Sequence, residues 1–212
     1  PDENAERAHF WPANLHVIGK DIVRFHAVYW PAFLMSAGLP VPGRVYAHGF
    51  LFNRGEKMSK SVGNVIDPFA LVDHYGLDSV RYFFLREVPF GQDGNYSHDA
   101  IVNRINADLA NDLGNLAHRA LSMTSKWLGG SVPSLDSNTA ADDALQRVAD
   151  DAVEGFRRNI EGMQISTALE SLWRLVQAGN KYIDDMEPWK LNREGDTERL
   201  AGVMRRCLEI CR

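Results

Sequence analysis

The rhythm of apolar and polar positions changes along the chain. LHVIG, from Leu15 to Gly19, is a short apolar run ended by glycine, the pattern of a buried strand. In KDIVRFHAVYWPAFLMSAG, residues Ile22, Phe25, Tyr29 and Phe33 recur at helical spacing. Asp21 is placed to open that helix, Pro31 to kink it and Gly38 to close it. RVYAHGFLFNR is rich in β-formers and reads as one second strand. Strand, helix and strand within about forty residues predict a βαβ unit with parallel strands. The loop GEKMSKSVGNVIDP follows, and its Asp67-Pro68 reads as the N-cap and first position of a helix ending at Gly76. LDSVRYFFLREV continues as a second helix with Asp78 as its cap, and VPFGQDGNYSHDA reads as a turn-rich connector.

From about residue 99 the period settles to that of long amphipathic helices. Ile101, Ile105, Leu109, Leu113, Leu116 and Ala120 form one stripe. A polar linker, GGSVPSLDSNTAADD, precedes a second stripe (Leu145, Val148, Ala152, Phe156, Ile160) and a third (Ala168, Leu169, Leu172, Val176, Ile183). A fourth helix starts near Thr197. Three or four such helices with short links predict a helix bundle, so the fold class is α/β followed by all-α.

Composition narrows the classes. With 45% hydrophobic and 24% charged residues among 212, the chain is of the soluble globular kind. It has no apolar run long enough to span a membrane, and PDENAERAHF has no leader character. Cys207 and Cys211 lie one helical turn apart and read as small buried apolar residues, not a zinc site. So few cysteines suit a reducing, cytoplasmic setting. The net charge of −5 argues against a chain basic all over, and neither half of the chain is a basic arm, so nucleic acid would have to be met through local patches. A start at Pro1 and a stop inside an apolar helical pattern lead to the expectation of a piece of a longer polypeptide.

The loop carries the first candidate chemistry. It is not a Walker A loop, because Ser59, not glycine, precedes Lys60-Ser61. By spacing alone it is either a solvated lysine turn or a glycine-flanked loop whose ammonium groups meet a polyphosphate beyond a strand end. Its Lys57-Met58-Ser59-Lys60-Ser61 resembles the KMSKS signature of class I aminoacyl-tRNA synthetases. HVIGKDIVRFHAVYWPA, AHGFLF, KMSKSVGNVIDP, DSVRYFFLRE, NADLANDLGNLAHR and EPWKL stand in the order and spacing of the methionyl-tRNA synthetase family, so the resemblance covers essentially the whole chain.

The resemblance implies ATP-dependent activation of methionine to methionyl-adenylate and its transfer to tRNA(Met), with ATP and Mg2+ as cofactors. It implies the second half of a class I Rossmann domain in residues 1–52. Residues 53–100 would hold the KMSKS loop and the linking helices that meet the tRNA stem, and 101–212 a helical anticodon-binding domain lacking its last helix or helices. Lys60 would contact the ATP phosphates and stabilise departing pyrophosphate, assisted by Lys57, with Ser59 beside them. Asp21, His48 and Gly49 would lie near the nucleotide, and Phe25, His26 and Trp30 would help form the methionine pocket. Asn115, Arg119, Pro188 and Trp189 would read the CAU anticodon, through guanidinium and aromatic stacking and hydrogen bonds to base edges.

Read without the resemblance, Phe25 and Trp30 are core residues, Asp21 a helix-start residue, and Arg119 and Trp189 a surface charge and a helix-end plug. One feature of the family is missing. Its HIGH-type histidine pair is spaced by three, and none of the seven histidines here (9, 16, 26, 48, 74, 98, 118) is three from another. The expected active site is therefore a half-site, inactive by itself, and zinc content cannot be read from these residues. Two alternatives stay open: a module that only grips tRNA, and a leucyl, valyl or cysteinyl member of the class.

Overall fold

The computed structural model describes residue 6, residues 8–59, residue 61, residues 63–134 and residues 138–212. Two compact units interleave along the sequence. The first comprises Pro1–Asp67 and Val88–Tyr96, and the second Pro68–Glu87 and Ser97–Arg212.

In the first unit, β1 (His16–Gly19) pairs in parallel with β2 (Val45–His48), in register from His16 opposite Val45 to Gly19 opposite His48. The crossover is helical, as the periodicity predicts, but not uniformly so. Lys20–Ile22 is a 3-10 turn, Phe25–Tyr29 is π-helical, and α1 spans Trp30–Ser36. Asp21 lies inside the opening turn, after Gly19, at the start of the helix as expected. The Trp30 N–H reaches back five residues to the Phe25 carbonyl just before Pro31, so the ladder widens where proline has no N–H to give. Gly38, with φ of +67°, closes α1, and the Leu39 N–H returns to the Leu34 carbonyl at 2.9 Å.

RVYAHGFLFNR is not one strand. It breaks at Gly49-Phe50 into β2 and β3 (Leu51–Asn53), which belong to different sheets. β3 is the middle of the second sheet, antiparallel to β4 (Glu56–Lys57) and parallel to β5 (Gly94–Tyr96). The break has a local cause. A Cβ on Gly49 would collide with the Gln92 backbone, and Asp93 Oδ1 accepts the Phe50 N–H at 2.7 Å in place of a ladder partner. The expected connector after residue 87 thus contains β5, and α4 (His98–Arg104) starts within it, capped by Ser97.

In the second unit, α2 (Pro68–Tyr75) starts at the predicted proline and ends at Gly76. α3 (Leu77–Glu87) begins one residue before Asp78, so Asp78 sits in its first turn and does not cap it. α4, a π-helical segment Ile105–Gly114 and α5 (Asn115–Leu128) follow without a break. α6 (Ala140–Glu161) opens with a capping box between Thr139 and Asp142. α7 (Ile165–Met186) is followed by α8 (Pro188–Glu194) and α9 (Thr197–Cys211). Pro188 and Trp189 therefore begin a short helix of their own; they do not end α7. Glu187, left-handed at φ 44°, separates the two. Leu116, Ala120, Leu145, Val176, Ile183, Leu200, Val203, Met204 and Cys207 form the core of this unit. Burial pushes the Cys207 thiol up to about 12, in keeping with an inert apolar residue. No helix among the described residues is long and apolar enough to cross a membrane.

Candidate functional site

Parallel strands offer ligands the crevice beyond their carboxyl ends. β1 and β2 end there with Gly19 and His48, followed by Lys20, Asp21 and Gly49. Gly19 keeps this corner open: a Cβ on it would stand 2.5 Å from Asp21 Oδ1 and 4.0 Å from His48 Cε1. His48 Nδ1 donates to the Gly49 carbonyl at 2.9 Å, which leaves Nε2 of the neutral ring as an acceptor. Gly49 has a packing role as well, since only hydrogen fits against Gln92.

Phe25, His26 and Trp30 share one cavity of about 430 Å3, with His16, Tyr29 and Phe33 as further lining residues. Asp21 does not line it. The rings meet edge to face: Phe25 and Tyr29 at 5.6 Å, His16 and His26 at 5.9 Å. Trp30 is held edge-on by Trp11 at 6.1 Å. His26 Nδ1 donates to the Ile22 carbonyl at 3.1 Å, which sets the tautomer of the neutral ring. An aromatic cavity with two imidazoles, those of His16 and His26, suits a soft apolar ligand with few polar contacts. Phe25 is 58% and Phe33 67% exposed, so the cavity is open. His16, Tyr29 and Phe33 escaped the sequence reading, although Tyr29 and Phe33 were already visible as part of the helical stripe.

The lysine loop begins as a hairpin. Arg54 and Gly55 have φ of 51° and 81°, the handedness of a two-residue type I′ turn, and Lys57 lies in β4 opposite Phe52. Asn64 then clasps the loop. Its Oδ1 accepts the Ser59 N–H at 2.9 Å and its Nδ2 donates to the Lys57 carbonyl at 3.2 Å. The Asn64 carbonyl in turn accepts from Asn53 Nδ2 at 2.9 Å. The Ser59 and Ser61 hydroxyls are bonded at 2.6 Å. Lys60, the residue expected to meet the phosphates, lies outside the described residues.

In the second unit, Asn115 is exposed at the start of α5. Arg119, one turn on, donates to Asp184 of α7 at 2.5 Å. The π-helical segment before α5 is tied to α7 as well, by Asn180 Nδ2 donating to the Asp112 carbonyl at 2.9 Å. Beyond the end of α7, Pro188 is buried while Trp189 keeps 43% of its surface exposed. The same unit holds a buried ionic network. Asp142 accepts from Arg199 at 2.7 and 2.9 Å and from the Tyr182 hydroxyl, with Arg206 at 3.4 Å. Burial alone would raise the Asp142 carboxyl; the bonds from Arg199, Tyr182 and Thr139 outweigh it and hold the group well below the usual carboxylate range. No cluster of three or more histidines, cysteines and carboxylates that could hold a metal ion occurs among the described residues.

Residues 2–121 match the family described as tRNA synthetases class I (M). The methionine–tRNA ligase of Brucella suis is 59% identical over 212 residues, covering all of this chain and 41% of that protein. The structure of Mycobacterium tuberculosis methionyl-tRNA synthetase in complex with methionyl-adenylate is 53% identical, with a TM-score of 0.94 over 100% of this chain and 42% of that one. The apo form of the M. tuberculosis enzyme gives 49% identity and a TM-score of 0.90 over the same shares. The chain thus spans about two fifths of the length of the relatives it matches.

Proposed function

The chain belongs to the class I tRNA synthetases of the (M) family, and from that membership we propose that it supplies the KMSKS and tRNA-reading parts of a methionine–tRNA ligase. The observation that carries this reading is the aromatic cavity of Phe25, His26 and Trp30, built on the strand pair whose carboxyl ends hold Asp21, His48 and Gly49. Methionine's thioether finds soft aromatic contacts there. Its carboxylate attacks the α-phosphate of ATP in line, giving methionyl-adenylate and pyrophosphate, and the terminal ribose of tRNA then takes the methionyl group. No side chain need form a covalent intermediate; the work is positioning and stabilisation of developing charge.

Lys60 and Lys57 meet the phosphates as compact ammonium charges, with Ser59 beside them. Mg2+, bound through the phosphates and its own waters, would add charge neutralisation. In this reading Asn115, Arg119, Pro188 and Trp189 meet the anticodon of tRNA(Met), and the helices between the loop and the bundle meet its stem. Exposed Trp189 offers a stacking face, and Arg119 a guanidinium whose ion pair with Asp184 orients it. Lys60→Ala in the full-length enzyme should slow ATP–pyrophosphate exchange by about 10²-fold or more, in the range of a lost charge-stabilising donor. Its methionine Kd, followed by tryptophan fluorescence, should hardly change. An undiminished exchange rate would remove Lys60 from the mechanism.

A further inference from the structure

Two ammonium groups share the ring of Phe50. Lys57 Nζ stands 4.0 Å from its centroid and Lys20 Nζ 4.8 Å, both within cation–π reach. Each lysine is fixed at a second point. Lys20 Nζ donates to both oxygens of Asp93 at 2.7 Å, and Asp93 Oδ1 also takes the Phe50 N–H at 2.7 Å. Lys57 has its backbone in β4 opposite Phe52, with its carbonyl bonded to Asn64. Phe50 precedes Phe52 by two residues, the spacing that keeps side chains on one face, so Lys57 reaches it diagonally. Hydrogen bonds from Lys20 and from the Phe50 amide lower the Asp93 carboxyl below its ordinary range, and the charge of Lys57 adds to this. One carboxylate thus faces two ammonium groups, and a surplus of positive charge is held in one place.

We infer that Phe50 and Asp93 are positioning residues that hold Lys57 and Lys20 as a preset ammonium pair for the polyphosphate of ATP and for departing pyrophosphate. This rests on the reading of Lys57 as a phosphate-directed lysine. Phe50 fits the role because its ring attracts an ammonium without neutralising it, so the charge stays available to the phosphate. A carboxylate at position 50 would consume it. Gly49 lets the Gln92-Asp93 backbone, just before β5, come close enough for Asp93 to bond the Phe50 amide.

The test is ATP–pyrophosphate exchange in the full-length enzyme, with methionine Kd measured in parallel. Phe50→Leu should lower kcat/KM for ATP by about two- to fivefold, the worth of an exposed cation–π contact, and leave methionine Kd unchanged. Phe50→Tyr, which keeps the ring face, should restore the wild-type value. In a Lys57→Met background, Phe50→Leu should lose less than in the wild type, because only the Lys20 contact remains to be lost. If Phe50→Tyr loses as much as Phe50→Leu, or if the Phe50 and Lys57 effects multiply, the inference is overturned while Lys57 keeps its role. Wild-type exchange in Lys57→Met alone would instead overturn the reading of Lys57 on which the inference stands. Should Phe50→Leu also lose methionine binding, Asp93→Asn carries the test: it frees Lys20 without touching the ring. It should lower kcat/KM for ATP, and a wild-type value would refute the positioning role.

Discussion

Asp142 is almost wholly buried and is wanted by four neighbours at once: Thr139, Tyr182, Arg199 and Arg206. Removing one partner of a buried charge leaves the others uncompensated, at a cost of about 3–5 kcal/mol. Asp142→Asn should therefore lower the unfolding free energy of the helical unit, read from urea unfolding at neutral pH, by that much. The pH dependence follows from the direction of the shifts. The carboxyl is depressed in the folded state, so its contribution is present above the unfolded value of about 3.9 and is lost as pH falls below it. Tyr182 is raised by burial and by its bond to Asp142, so its contribution is present below about 10 and lost as pH rises beyond. The unfolding free energy should show a plateau between those values, and the acid limb should flatten in the Asp142 variant. None of this network was legible in the sequence. Thr139 and Asp142 looked like linker residues, and what joins them to Tyr182, Arg199 and Arg206 is tertiary packing that no local spacing encodes.

The elements that the sequence revealed were those with long periods. The stripes through Leu116, Leu145 and Val176 and the helix expected from Thr197 became α5, α6, α7 and α9, each of which contributes apolar residues to one core. What stayed hidden was short or bent. β4 has only two residues, too few for an alternation, and it moves Lys57 from a loop into a sheet. The π-helical turn before Pro31 is too short to alter the apolar period, and the break at Gly49-Phe50 depends on a backbone contact made at a distance. Helix packing supplies a prediction at this scale. A Cβ on Gly179 of α7 would lie 3.0 Å from Ile210 Cδ1 and 3.1 Å from Leu116 Cδ2. Gly179→Val should thus overpack the junction of α5, α7 and α9 and cost about 1–3 kcal/mol, read as a lowered Tm by calorimetry.

At the scale of the molecule, the candidate site was legible because its chemistry is carried by several separated motifs. Phe25, His26 and Trp30 came together in one cavity, whereas Lys20, Phe50 and Asp93 drew no notice, since nothing in their spacing links them. If the two units divide the labour as proposed, they should fail separately. Trp189→Ala should reduce the rate of tRNA charging by about tenfold or more, on the worth of about 1–3 kcal/mol for a stacked base. ATP–pyrophosphate exchange should stay at the wild-type rate, and equal loss of both would make Trp189 a structural residue. The interleaving of the units has a consequence for how such a protein can be cut, joined and made. The chain passes from one unit to the other at Asp67/Pro68, returns at Glu87/Val88 and leaves again at Tyr96/Ser97. Swapping the helical unit between relatives therefore takes three junctions where a modular protein would need one. On the ribosome, β3 must wait for α2 and α3 to emerge before its partner β5 exists.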